Sequence, residues 1–127
     1  MIENKLSKRV LEVGYTFKDF KQLITAKFTG SSDQLWSWKD NSLISKSGYA
    51  LSTIGKDAGT NAVAVVDQGT SNQQWTMEGD KLISRTSGMA LDIKNGSIWS
   101  NKDIILWTPN EPQKYDTQAW RLKSYQL

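Results

Sequence analysis

Cysteine and histidine are both missing from the 127 residues. The first absence excludes a disulfide framework and any thiolate metal site, and it leaves the redox compartment unreadable. The second removes the commonest general base and metal ligand at neutral pH, together with every Ser/His or Cys/His nucleophile arrangement. Catalysis would have to rest on carboxylates alone, and no Asp or Glu falls in a recognisable pairing motif. Neither enzymatic activity nor a cofactor or metal is therefore expected. Long apolar runs are absent too, so neither a signal peptide nor membrane insertion is expected of this chain. Localisation stays open between a cytoplasmic protein and a domain excised from a longer precursor. Charge of one sign is scarce: 16 Lys+Arg against 13 Asp+Glu leave +3, a balance suited to solubility rather than to nucleic acid. The most basic stretch holds Lys5, Lys8, Arg9, Lys18, Lys21 and Lys27. It reads as a solvated face, with a patch for sulfated glycan, actin or anionic lipid as the alternative.

What the sequence does have is repetition. Gln34-Leu35-Trp36, Gln73-Gln74-Trp75 and Gln118-Ala119-Trp120 share one Gln-x-Trp pattern, with 39 and 45 residues between successive tryptophans. Val10-Leu11-Glu12-Val13, Ala50-Leu51-Ser52-Thr53 and Ala90-Leu91-Asp92-Ile93 recur every 40 residues, each ahead of a Gln-x-Trp. Self-similarity at this period marks repeated supersecondary units rather than separate domains. A single domain is expected, with repeats of about 2–39, 40–79 and 80–127.

Each unit reads as four short strands. Leu43-Ile44-Ser45 and Leu82-Ile83-Ser84 open the second and third, before turns at Ser47-Gly48 and Ser87-Gly88. The first unit has Ser7-Lys8 where that turn belongs. Strands follow around Leu11, Leu51 and Leu91, then over 22–26, 62–66 and 103–107, and last at each Gln-x-Trp. Asn95-Gly96-Ser97 matches a glycosylation acceptor but is read as a turn that wants Asn-Gly for its backbone. With no helical period of convincing length, the fold class is all-β, with about twelve strands. Trp36, Trp75 and Trp120 are read as core, and period two puts Trp38 beside Trp36 on the inward side. Gln34, Gln73 and Gln118 are read as buried amides that satisfy the loops before their strands, in preference to ligand contacts.

This pattern, covering nearly the whole chain, resembles the ricin B-chain type of β-trefoil lectin. The resemblance implies a six-stranded barrel closed by three hairpins, and up to three shallow sugar sites, one per unit. It implies in each site an acid just after the second-strand leucine, an aromatic ring ending the third strand, and an amide just before Gln-x-Trp. A carboxylate can accept bonds from adjacent sugar hydroxyls while a ring stacks on the apolar face of the pyranose. The third unit fits best, with Asp92 and Trp107. Thr117 stands where the family has asparagine, and Asp116 or Asn110 is a candidate substitute. Gln113 and Tyr115 on the loop of 108–117, and Trp99 in the hairpin before it, are further candidates. The first unit keeps Glu12, with Asp33 before its glutamine, but has Ala26 or Lys27 in place of the ring unless Tyr15, Phe17 or Phe28 supplies one. The second keeps Asn72 but has Ser52 for the acid and Val65 or Val66 for the ring.

The expected function is thus a lectin module that binds a galactose or N-acetylgalactosamine ligand weakly, mainly through the third repeat. Its partners would be glycans or glycoproteins, with homo-oligomers as one source of avidity. The rival reading is a trefoil that has lost its sugar sites and binds a protein partner, as an inhibitor, toxin subunit or cytoskeletal binder.

Overall fold

A computed structural model describes residues 1–17, 19–110 and 116–124, with the backbone alone for residue 17. Among these residues the chain forms twelve strands: β1 (Ile2–Asn4), β2 (Val10–Phe17), β3 (Phe20–Ala26), β4 (Trp36–Lys39), β5 (Ser42–Ser45), β6 (Tyr49–Thr53), β7 (Ala62–Val66), β8 (Trp75–Glu78), β9 (Lys81–Ser84), β10 (Ala90–Ile93), β11 (Ile104–Trp107) and β12 (Trp120–Leu122). Three antiparallel pairs join the end of one unit to the start of the next: β4 with β5, β8 with β9, and β12 back to β1. The other six strands form hairpins β2–β3, β6–β7 and β10–β11. The hairpins meet through the β3–β7 pairing and through bridges from Ile24 to Asp103 and from Asn61 to Ile105. This is a β-trefoil.

Register aligns the three units. Leu11, Leu51 and Leu91 pair with Thr25, Ala64 and Leu106, and all three leucines are fully buried beside Ile2, Leu43 and Leu82. One atom marks the meeting point of the units. The amide nitrogen of buried Gln22 donates to the carbonyls of Leu23, Ala62 and Ile104, at 2.8, 3.0 and 3.2 Å. Those residues are paired with Val13, Thr53 and Ile93, equivalent positions of the three hairpins. Three equivalent carbonyls can converge on one nitrogen only close to a pseudo-threefold axis.

The two sequence landmarks of each unit turn out to be bonded to each other. The indole N–H of Trp36 donates to the Leu11 carbonyl at 3.1 Å, that of Trp75 to Leu51 at 3.0 Å and that of Trp120 to Leu91 at 2.9 Å. A buried indole needs such an acceptor, and a hairpin carbonyl left facing the core needs a donor. Trp75 and Trp120 are buried, whereas Trp36 is half-buried against the core. Trp38 departs from the expected core placement, at 41% exposed. It shares the face of Trp36 but stands next to Lys39 at the strand's end, beside Met1, Leu43 and Leu122. The smaller Met77 and Leu122, two residues beyond their own tryptophans, still pack against the core.

The three glutamines are also fully buried. Gln34 Oε1 accepts from the N–H groups of Thr29 and Gly30, and its amide donates to Lys27 O. Gln73 accepts from Gln68 N–H and donates to Val66 O, and Gln118 accepts from Asn110 N–H and donates to Thr108 O. Each amide thus closes the loop between a hairpin and the following barrel strand. Turn chemistry explains the weak first repeat: Gly48 and Gly88 hold φ of +100° and +73°, and Lys8 takes +62° in the same role. Asn95 and Gly96 both adopt positive φ, as an Asn-Gly turn does.

Replacing Gln73 by leucine should therefore lower the unfolding free energy by about 1–3 kcal/mol, because two backbone groups lose their partner. Val66→Thr, at a position 63% exposed, should stay within about 0.5 kcal/mol of wild type. Urea unfolding of both variants checks this. Equal effects would mean that the amide does not hold the loop.

Candidate carbohydrate site

The acid and ring of the third unit share one cleft. Ala90 pairs with Trp107 and Asp92 with Ile105, so the ring lies one step along the hairpin from the carboxylate. A concavity of about 310 Å³ is lined by both, together with Ile93, Lys94, Asn95, Gly96, Ile105 and, from the second unit, Gly59. Trp107 is 46% exposed at its edge. Gly59 N–H donates to Leu106 O at 2.7 Å, and Leu106 N–H donates to Thr60 O at 2.8 Å, which draws the second unit's loop across β11. A Cβ on Gly59, at φ +92°, would lie 3.7 Å from the Trp107 ring. Glycine therefore meets a backbone requirement and keeps the ring's neighbourhood open.

Asp92 is held from three directions. Its Oδ1 accepts from the Thr117 hydroxyl at 2.6 Å and from Ile93 N–H at 2.7 Å. Its Oδ2 accepts from Gln118 Nε2 at 3.2 Å. A carboxylate has about four acceptor positions, so roughly one, on Oδ2, remains for a ligand hydroxyl. The same glutamine amide that closes the loop thus also aims the acid. Glu12 repeats the arrangement, accepting from Gln34 Nε2 at 2.8 Å.

Thr117 acts on the site through Asp92, and it is itself pinned where its carbonyl accepts from the buried Asn4 amide at 2.8 Å. Asp116 is committed elsewhere. One of its oxygens takes Lys81 Nζ at 3.1 Å and the other takes Gln118 N–H at 2.7 Å, both within the protein. Its role is to anchor the segment that carries Thr117 and Gln118. Asn110 contributes its backbone N–H to Gln118. Gln113 and Tyr115 lie outside the described residues.

The other units diverge as the register resolves their ambiguous positions. Val10 pairs with Ala26 and Ala50 with Val65, so Ala26 and Val65 are the counterparts of Trp107. The first unit therefore has a held acid without a ring on its own third strand, and Asp33 is half-exposed beside Gln34. The second unit has a wider concavity than the third, about 710 Å³, yet Ser52 and Asn72 are bonded within the protein. The Ser52 hydroxyl donates to Asn72 O, and the Asn72 side chain bonds Thr53 O and the Thr70 hydroxyl. Tyr49, Ile54 and Val66 also line it, and Lys21 Nζ sits 5.5 Å from the Tyr49 ring centroid.

Two features escaped the sequence pattern. The clefts of the second and third units each have a wall from the preceding unit: the β2–β3 hairpin for the second and Gly59 for the third. Gln34 and Gln118, moreover, bond both loop backbone and their unit's acid, a double duty that spacing cannot express.

Three equivalent hairpins capping a barrel about a pseudo-threefold axis define a β-trefoil. The chain belongs to the ricin-type β-trefoil lectin domain family, whose pattern matches residues 1–123. Such domains are carbohydrate-binding modules and generally not enzymes. Among solved structures, the designed three-fold symmetric protein ThreeFoil is 28% identical, with 98% of this chain and 96% of that one aligned at a TM-score of 0.84. The C-terminal half of an earthworm R-type lectin, solved with N-acetylgalactosamine, is 17% identical at a TM-score of 0.76, covering 94% and 93% of the two chains. An exo-β-1,3-galactanase from Clostridium thermocellum is 26% identical at a TM-score of 0.78, with 94% of this chain aligned to 28% of that longer one. No curated protein sequence gives a significant match.

The buried Lys81–Asp116 pair should be the anchor of the third unit's last loop. Lys81→Met leaves Asp116 an uncompensated buried charge and should cost about 3–5 kcal/mol. Adding Asp116→Asn should recover part of that loss in urea unfolding. A single-variant cost below about 1 kcal/mol would show that the pair is not the anchor.

Proposed function

We propose that this lectin domain binds a galactose or N-acetylgalactosamine residue through the third unit. The observation that carries the reading is the juxtaposition of Asp92 and Trp107 in one cleft, whereas Ala26 and Val65 stand at the ring's register position in the other two units. Asp92 Oδ2 would accept a ring hydroxyl, and Trp107 would stack on the apolar face of the pyranose. Lys94 and Asn95 on the rim supply donors that the carboxylate cannot. Preorganisation favours binding, because Thr117, Ile93 and Gln118 already fix the acid before a ligand arrives. The N-acetylgalactosamine complex of the earthworm relative supports the same class of sugar.

A cleft of about 310 Å³ stands at the small end of ligand sites. One shallow site of this kind binds at roughly millimolar to high-micromolar strength, about −4 to −6 kcal/mol. Useful avidity then comes from clustered copies or from a larger parent chain. In that arrangement the domain tethers its carrier to a glycan surface rather than holding free sugar.

A second reading rests on the second unit. Its wide cleft, with Ile54 53% exposed and Val66 63% exposed, suits the apolar side chains of a protein partner better than a hydroxyl-rich ligand.

Titration of tryptophan fluorescence with galactose, N-acetylgalactosamine, lactose and glucose tests the first reading. Wild type should show a saturable change selective for the galactose series. Trp107→Ala should abolish it, and Asp92→Asn should weaken binding about tenfold or more. No response to any sugar at tens of millimolar would contradict the third-unit site and favour the protein-partner reading.

A further inference from the structure

We infer that the third unit's cleft continues into an anion-recognising notch, so that the preferred glycan is acidic, with a carboxylate or sulfate next to the sugar held by Asp92 and Trp107. The inference rests on the third-unit sugar site and extends it. A second concavity, of about 380 Å³, is lined by Lys94, Asn95, Ser97, Asn101, Lys102 and Asp103. It shares Lys94 and Asn95 with the sugar cleft. A chain of two sugar residues can therefore lie across both without leaving the surface.

The chemistry of the two halves differs. The sugar cleft offers a carboxylate acceptor and a ring, whereas the notch offers two ammonium groups and three neutral polar side chains. Neither Lys94 nor Lys102 forms an ion pair with a described acidic residue. The one carboxylate of the notch, Asp103, already accepts the Tyr15 hydroxyl at 2.7 Å through Oδ1. That bond, with the nearby charge, pushes the Tyr15 phenol above its usual pKa, so it stays a donor to Asp103 across the physiological range. The notch keeps an excess of one positive charge.

Its backbone is also fixed in advance. Asn101 N–H donates to Thr25 O at 2.6 Å, Lys102 N–H to the Thr25 hydroxyl at 3.2 Å, and Thr25 N–H to Lys102 O at 3.0 Å. On the other side, Lys94 N–H donates to Asp103 O at 3.0 Å. Both lysines thus spring from main chain tied to the fold and line one concavity. Two ammonium groups without an ion-pair partner among the described residues, carried on anchored main chain beside the sugar cleft, are what a carboxylate or sulfate group on a glycan would meet.

The test compares lactose with sialylated lactose and with a sulfated galactoside, by fluorescence or calorimetric titration at low and high salt. The anionic ligands should bind about three- to tenfold more tightly than lactose at low ionic strength, an advantage that salt removes. The sialylated and sulfated forms separate a carboxylate source from a sulfate source. Lys102, outside the sugar cleft, should lose the preference as Lys102→Gln while keeping wild-type affinity for lactose. Asp103→Asn should enlarge the preference. Lactose binding with no anionic advantage, or an advantage that survives Lys102→Gln, would overturn the notch while leaving the sugar site intact. Silence toward all three ligands would overturn both.

Discussion

The bond from each Gln-x-Trp indole to the carbonyl of its unit's second-strand leucine is the contact on which the other features depend. It ties the barrel strand at the end of a unit to the hairpin at its middle, across 24 to 29 residues of chain. A polar bond inside an apolar layer is strong because both partners would otherwise be buried and unmatched. It also fixes where the neighbouring glutamine stands, two residues ahead of the tryptophan in the turn that leads into its strand. From there the amide closes the preceding loop and, in two units, reaches the acid of the site. Position in the core and position in the site are therefore set by one short peptide.

That coupling explains how one scaffold carries three unequal surfaces. The core positions repeat with little change, since leucines 11, 51 and 91 must fill the same space and bond the same indoles. The rim positions are free to differ, because Glu12, Ser52 and Asp92 each find a partner without disturbing that bond. Ala26, Val65 and Trp107 occupy one register position, yet only the third presents a ring. The third unit differs further in Lys81 and Asp116, whose buried ion pair secures the end of its long last loop.

Most of the fold was legible in the sequence because burial imposes a period, and the threefold recurrence of Leu and Gln-x-Trp carried it. Ser7-Lys8 was faint because a lysine performs a glycine's positive-φ task, which no composition rule announces. Trp38 ran against the pattern since alternation gives the face of a residue but not how far along the barrel the core extends. Asp92 and Trp107 were legible as a pair. The sequence could not show that Asp116 turns inward to Lys81, that Gly59 arrives from another unit, or that Lys94 borders two concavities at once. Those are relations between loops, and loop geometry is not periodic.

The most direct test of the account is a heteronuclear NMR titration with lactose that follows the six indole N–H signals and the backbone amides. The indole of Trp107 and the amides of Gly59 and residues 93–96 should shift in a saturable way, while the indole of Trp75, bonded to Leu51 in the core of the second unit, stays fixed. Shifts centred on Ser52, Val65 and Asn72, or no saturable shift at any residue, would contradict a carbohydrate site built by the third unit.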